Sequence, residues 1–257
     1  METFQHLIGT EKLESFALTL RADYRFGLRG GQFVILDLRH PTMVIAGAFN
    51  PAIFTPEWIA AVLYKIPEGE DIDGVMLLDT ETQQSRPYMR DIAVVAEPHR
   101  LSIFIDRWEA PTISLASMVA SNLCDALPHT PVGGFGVNFR FLSADFDEKV
   151  ADLLAQRDEP EKYGKIERAM SVATIITDDK SKLNFTRGFD DQNNFVAGFN
   201  FHADTVNLQS VGALIDGRVE AKFADAVRIL KEGFYPELDE VDFQNALNRN
   251  AKGQADG

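Results

Sequence analysis

The chain has 257 residues, 45% hydrophobic and 25% charged, which is the balance of a protein that folds around a buried core. Its formal charge of −14 repels phosphate backbones and anionic lipid headgroups, so direct nucleic-acid binding is disfavoured unless the chain mimics DNA in another protein's basic groove. A single cysteine, Cys124, excludes an intramolecular disulfide and a cysteine-based zinc cage.

The start, METFQHLIGTEKL, lacks the basic-then-apolar layout of a signal peptide, and no apolar run approaches the ~20 residues that span a bilayer. The expectation is a cytoplasmic protein, neither secreted nor integral to a membrane.

Three strand-like runs come first in chain order, FALTLRADY, GQFVILDLR and TMVIAGAF, separated by Gly-rich and His-Pro turn signals. Thr55-Pro56-Glu57-Trp58 carries a helix start: Thr55 can cap, Pro56 suits the first turn and Glu57 complements the dipole. The helix should run to about Ile66 and bury Ile59, Val62, Leu63 and Ile66.

A second meander follows, DGVMLLDTE, RDIAVVAE and RLSIFID, whose first two runs are apolar on both faces and read as central strands. From Thr112, Ile113, Ala116, Ala120, Leu123 and Leu127 form one helical stripe, with the small Ser114, Ser117 and Ser121 beside it. Gly133 and Gly134 are read as a turn and Gly136 as a bulge or close approach, leading into a strand with Val137, Phe139 and Phe141 on one face and Asn138 and Arg140 on the other.

Residues 145–170 are charged and helical in composition, with Glu161–Lys165 and Asp145–Lys149 at i,i+4. SVATIIT, KLNFTRGF and NFVAGFNFHAD read as strands, and Val219, Phe223, Val227, Leu230 and Phe234 mark a closing amphipathic helix.

A strand meander closed by a helix thus occurs three times. The expected fold is α+β, an antiparallel sheet of repeated β-meander-plus-helix units with helices mainly on one face. It forms a single domain over 1–248, divisible into pseudo-symmetric halves 1–143 and 144–248, followed by a polar tail, 249–257. The pseudo-symmetry rests on the shared pattern of Gly136-Val137-Asn138-Phe139-Arg140 and Gly198-Phe199-Asn200-Phe201-His202. On that reading the two strands are neighbours, with Asn138 near Asn200 and Arg140 near His202.

Asn138, Arg140, Asn200 and His202 are therefore the candidate binding residues, and His202, Asp204 and Arg140 the candidate catalytic set, as base, orienting acid and anion holder. A solvated sheet face with cross-strand polar pairs is the competing reading, and the stronger one. Asp178-Asp179 and Asp190-Asp191 place oxygen donors in two loops, a weak metal signal without a calcium-loop pattern.

The glycines of VGGFG follow a helix and precede a strand, the reverse of a phosphate cradle. Cys124 reads as buried and inert, and His6, His40, His99 and His129 as loop or surface residues. No cofactor is implied.

With no catalytic motif in a chain long enough to carry one, the leading expectation is a non-catalytic protein-interaction or oligomeric assembly protein. It would bind a protein partner, itself, or both, with sheet edges as one route to association. The alternative is a small-molecule hydrolase or lyase using the His/Asp/Arg cluster. A DNA-mimicking inhibitor ranks last.

Overall fold

The computed structural model describes residues 24–27, 33–67, 69–70, 74–79, 84–143, 169–178, 181–190, 194–215 and 217–235. Most of FALTLRADY, the charged stretch of 144–168, and the tail lie outside these residues.

The described residues form one α+β fold about an 11-stranded, antiparallel sheet. Its strands are β1 (Tyr24–Gly27), β2 (Phe33–Leu36), β3 (Met43–Gly47), β4 (Gly74–Asp79), β5 (Gln84–Met89), β6 (Ile92–Glu97) and β7 (Arg100–Ile105). β8 (Val132–Ser143), β9 (Ala169–Asp178), β10 (Ser181–Phe189) and β11 (Phe195–Asp204) complete it. The strand order is β4-β5-β6-β7-β3-β8-β11-β10-β9, with β2 pairing both β1 and β8.

β8 is long enough to hold two short strands along the same edge. β3 lies beside its first half, with Met43 opposite Val137, and β2 beside its second, with Leu36 opposite Phe141. The chain advances seven residues from Leu36 to Met43 while β8 advances four from Phe141 to Val137. The three extra residues loop out, as in an enlarged bulge. Hydrogen bonds bracket the excursion: Asp37 N donates to Arg140 O (2.8 Å), and Asn138 N donates to Thr42 O (2.8 Å).

Alternation along β8 sorts its side chains as expected. Val137, Phe139 and Phe141 are buried, whereas Asn138 and Arg140 are half-buried. The core then assembles from rings. Phe223 packs against Trp108, Phe139 and Phe141 at centroid distances of 4.7, 5.3 and 6.1 Å. Phe141 meets Phe199 edge-on at 5.8 Å. Full burial of one such ring is worth about 1.5–3 kcal/mol, with a further ~0.5–1.5 kcal/mol from ring geometry.

Thr55 caps the first helical segment, its hydroxyl accepting from Trp58 N at 3.2 Å. The segment is α-helical over Pro56–Trp58 (α1) and π-helical over Ile59–Leu63, burying Ile59, Ala60 and Leu63. Tyr64 ends it and donates its hydroxyl to the carbonyls of Met89 (3.0 Å) and Ile92 (3.3 Å), clamping the β5–β6 hairpin.

α2 (Ala110–Ala126) buries the predicted stripe of Ile113, Ala116, Ala120 and Leu123. α3 (Leu208–Ile215) and α4 (Arg218–Gly233) follow β11, and α4 buries Val219, Phe223, Val227 and Leu230.

Two expectations are corrected, and two elements were not foreseen. β4 lies at an end of the described sheet rather than centrally, because β5 separates it from β6. β5 itself was obscured by Pro87, which breaks the look of a strand. Gly133 and Gly134 belong to β8 and are not a turn. α3 went unnoticed because its eight residues are too few for a clear period and include Gly212. A Cβ at position 212 would stand 3.3 Å from the Cβ of Cys124, so glycine is what lets α3 approach α2 closely. Cys124 is buried there, and burial, with the charge of Asp125, pushes its thiol up to about 12.

Candidate functional site

The sheet face opposite Phe139 and Phe141 can be laid out from strand register. Running from β8 through β11 and β10 to β9, one row reads Asn138, Asn200, Asn184, Thr174. The next reads Arg140, Gly198, Thr186, Val172, and beyond it lie Leu142, Val196, Gly188, Met170. On the other side of the asparagine row stand Gly136, His202, Lys182 and Ile176.

The asparagine row is a hydrogen-bonded ladder across four strands. Thr174 Oγ1 donates to Asn184 Oδ1 (2.8 Å), Asn184 Nδ2 to Asn200 Oδ1 (3.0 Å), and Asn200 Nδ2 to Asn138 Oδ1 (2.5 Å). Asn138 Nδ2 then donates to the carbonyl of Pro41 (3.3 Å), tying the ladder to the loop between β2 and β3. Each amide both gives and takes, so these polar groups satisfy one another. Gly136 permits this arrangement, since a Cβ there would stand 2.8 Å from Asn200 Nδ2. Gly134 likewise makes room for the ring of His202.

The β2–β3 loop adds a charged cluster at the β8 end. The Asp37 side chain is only 2% exposed and accepts two side-chain bonds from Arg39, Nε to Oδ1 (2.8 Å) and Nη2 to Oδ2 (3.0 Å), besides one from Arg39 N to Oδ1 (3.2 Å). Arg140 Nη1 stands 3.7 Å from the same carboxylate and donates to His40 Nε2. A guanidinium only donates, so Nε2 is the acceptor when the imidazole is neutral. Burial raises the Asp37 pKa, but the Arg39 hydrogen bond and the charges of His40 and Arg39 outweigh it and hold the carboxyl below its ordinary range.

A concavity of about 370 Å³ opens beside this cluster. Gly198 lines it, a position without a side chain between Arg140 and Thr186 in the same row. Asn138, Asn200 and Asn184 wall one side, His40 and Arg140 one end, and Met170 of β9 lies toward the other.

The candidate set of His202, Asp204 and Arg140 does not converge. His202 Nε2 and Asp204 Oδ1 are 3.1 Å apart, a direct contact within one strand. Lys182 Nζ joins Asp204 at 3.1 Å, and the hydrogen bonds from Lys182 and His202 hold its carboxyl below the ordinary range. Asp204 is nonetheless exposed.

Arg140 lies beyond the asparagine row, because antiparallel pairing reverses the order of the two similar segments. With Asn138 opposite Asn200, Arg140 faces Gly198 and His202 faces Gly136. The expected neighbourhood of Asn138 and Asn200 is present, and that of Arg140 and His202 is not.

Asp37, Arg39 and His40 were missed as members of the site. Their partner Arg140 is 100 residues away from His40, and a His-Pro step reads only as a turn.

Among the candidate metal residues, Asp190 closes a turn, accepting from Asn194 N (2.8 Å) and Nδ2 (3.1 Å). Asp178 ends β9, while Asp179 and Asp191 lie outside the described residues. Among the described residues, no three His, Cys, Asp or Glu side chains group as a metal ion requires. No helix there is long and apolar enough to cross a membrane.

The outer boundary of the face is β9, an end strand of the described sheet. From Ala169 to Thr177 it carries no charged residue, and Met170, Val172 and Ile176 project exposed on the face that bears Thr174. Val172 is 64% and Ile176 75% exposed. Compared with family models, curated proteins and solved structures, the chain matches none.

Proposed function

We propose that this chain is a non-catalytic, cytoplasmic assembly protein that associates with itself, its helices lying mainly on one sheet face and its β9 edge serving as the contact. The observation that carries this reading is the character of β9: nine consecutive uncharged residues, exposed valine and isoleucine, and an outer backbone edge without a strand partner among the described residues. Edge strands are ordinarily protected by charge, proline or brevity, and this one has none of the three until Asp178. In a chain of charge −14, an uncharged edge is also where a second copy approaches with least repulsion.

A two-fold axis across β9 would bring identical strands together antiparallel and extend the sheet. Burying the exposed parts of Val172 and Ile176 is worth about 1–2 kcal/mol each in each copy, before backbone hydrogen bonds are added. Association itself costs about 4–15 kcal/mol, so the dimer is concentration-dependent and not obligate.

Sedimentation equilibrium over a concentration series tests the reading. Self-association is expected for the native chain and is abolished by joint Val172→Lys and Ile176→Lys substitution. A strict monomer at the highest concentration, or an oligomer indifferent to both lysines, would refute it.

The alternative, a hydrolase or lyase using His202, Asp204 and Arg140, has the His202–Asp204 contact in its favour. It is the weaker reading, because Asp204 is exposed and Arg140 stands apart.

A further inference from the structure

The cavity over Gly198 has a polarity that self-association does not use. At its β8 end Arg140 lines the cavity with a side chain that is 26% exposed. Asp37 does not neutralise the cluster, since it faces both Arg39 and Arg140.

The asparagine wall is already satisfied within its ladder and offers shape more than charge. Toward β9 the lining changes character, with Val196 and the 46% exposed Met170 both reaching the cavity. Arg140 and Met170 lie three strand spacings apart, or about 14 Å across the sheet. Asp190 lines the side away from Arg140.

We propose that this cavity binds a small monocarboxylate with an unbranched apolar tail, its carboxylate on Arg140 and its tail running over Gly198 toward Met170. A single negative head matches the one end where the guanidinium stands, and charge-assisted bonds to arginine favour a planar carboxylate. The tail matches the glycine gap and the apolar end. Asp190 opposes a second carboxylate at the far end, so a dicarboxylate of equal length is rejected. The volume falls within the range of pockets that hold small ligands, which begins at about 300 Å³. The proposal stands whether or not the chain dimerises.

Calorimetric titration of the full chain with octanoate, octylammonium and suberate, under identical buffer conditions, decides the matter without any mutation. Octanoate is expected to bind at least about tenfold more tightly than either of the others, the difference made by one charge-assisted contact. Arg140→Gln should weaken octanoate by a similar factor, and Gly198→Val should abolish binding with Arg140 intact. His202→Ala, outside the cavity, should leave it unchanged.

Octanoate affinity equal to that of octylammonium, or no octanoate binding, would overturn the proposal. So would undiminished binding by a folded Arg140→Gln chain. If Arg140→Gln fails to fold, the ligand series and Gly198→Val still decide.

Discussion

Replacing Asp37 by asparagine removes the one carboxylate that holds the β2–β3 loop to β8. The aspartate is 2% exposed, takes two side-chain bonds of 2.8 and 3.0 Å from Arg39, and stands 3.7 Å from Arg140. Breaking a fully buried ion pair costs about 3–5 kcal/mol. Arg39 is 58% exposed and its guanidinium can rehydrate, which lowers the expected loss to about 1–3 kcal/mol. In a chain of this size that is a fall of about 2–12 °C in Tm.

The pH dependence is the sharper assay. The folded pKa of Asp37 lies below its unfolded value near 3.9, so its contribution is complete above that value and is lost as the pH falls through the folded pKa. Denaturant unfolding of native and Asp37→Asn chains should therefore show a deficit at neutral pH that shrinks as the pH falls below the unfolded value. A deficit below about 0.5 kcal/mol at neutral pH, or one of constant size across the range, would refute the assignment of a stabilising ionised Asp37.

Asp106 behaves in the opposite sense. Burial and the nearby Asp91 push its carboxyl up to about 6 against the pull of Arg107, so the native state loses stability as the pH rises from about 4 through 6. Asp106→Asn should raise stability at neutral pH by about 1–2 kcal/mol, discounted for partial exposure, and flatten that slope in chemical denaturation.

The β5–β6 turn places Arg90 (φ 49°) and Asp91 (φ 65°) in the left-handed region. Asn-Gly at these positions should stabilise the hairpin by about 1 kcal/mol, read from the unfolding midpoint. Phe223→Ala, which empties the space between Trp108, Phe139 and Phe141, should cost about 3–5 kcal/mol in the same measurement, and Phe223→Leu clearly less.

What the amino-acid order revealed depended on the range of each interaction. Local periodicities carried over well: the two-residue alternation of Val137, Phe139 and Phe141 and the three-and-four spacing of Ile113, Ala116, Ala120 and Leu123 are both buried stripes. The Thr55 cap is equally local and is present.

Pairing was half legible. Two matching pentapeptides led to the Asn138–Asn200 contact, yet Arg140 and His202 were misplaced because in an antiparallel pair the segments run in opposite directions and only their central asparagines meet. The β2–β3 loop and its approach to Arg140 were beyond reach, since a looped-out segment leaves no period and the partner strand lies far along the chain. Val172 and Ile176 were legible only as part of a strand. Only the strand order, with β9 at the end, shows them exposed.

The interrupted edge along β8 has a consequence for how this protein can change. Because β2 and β3 are each independently registered on β8, the three surplus residues between them carry no ladder position of their own. Residues can be added to or removed from that excursion while the asparagine row and the aromatic layer stay in register. The cavity's rim can thus change in length without disturbing the ladder on either side of it.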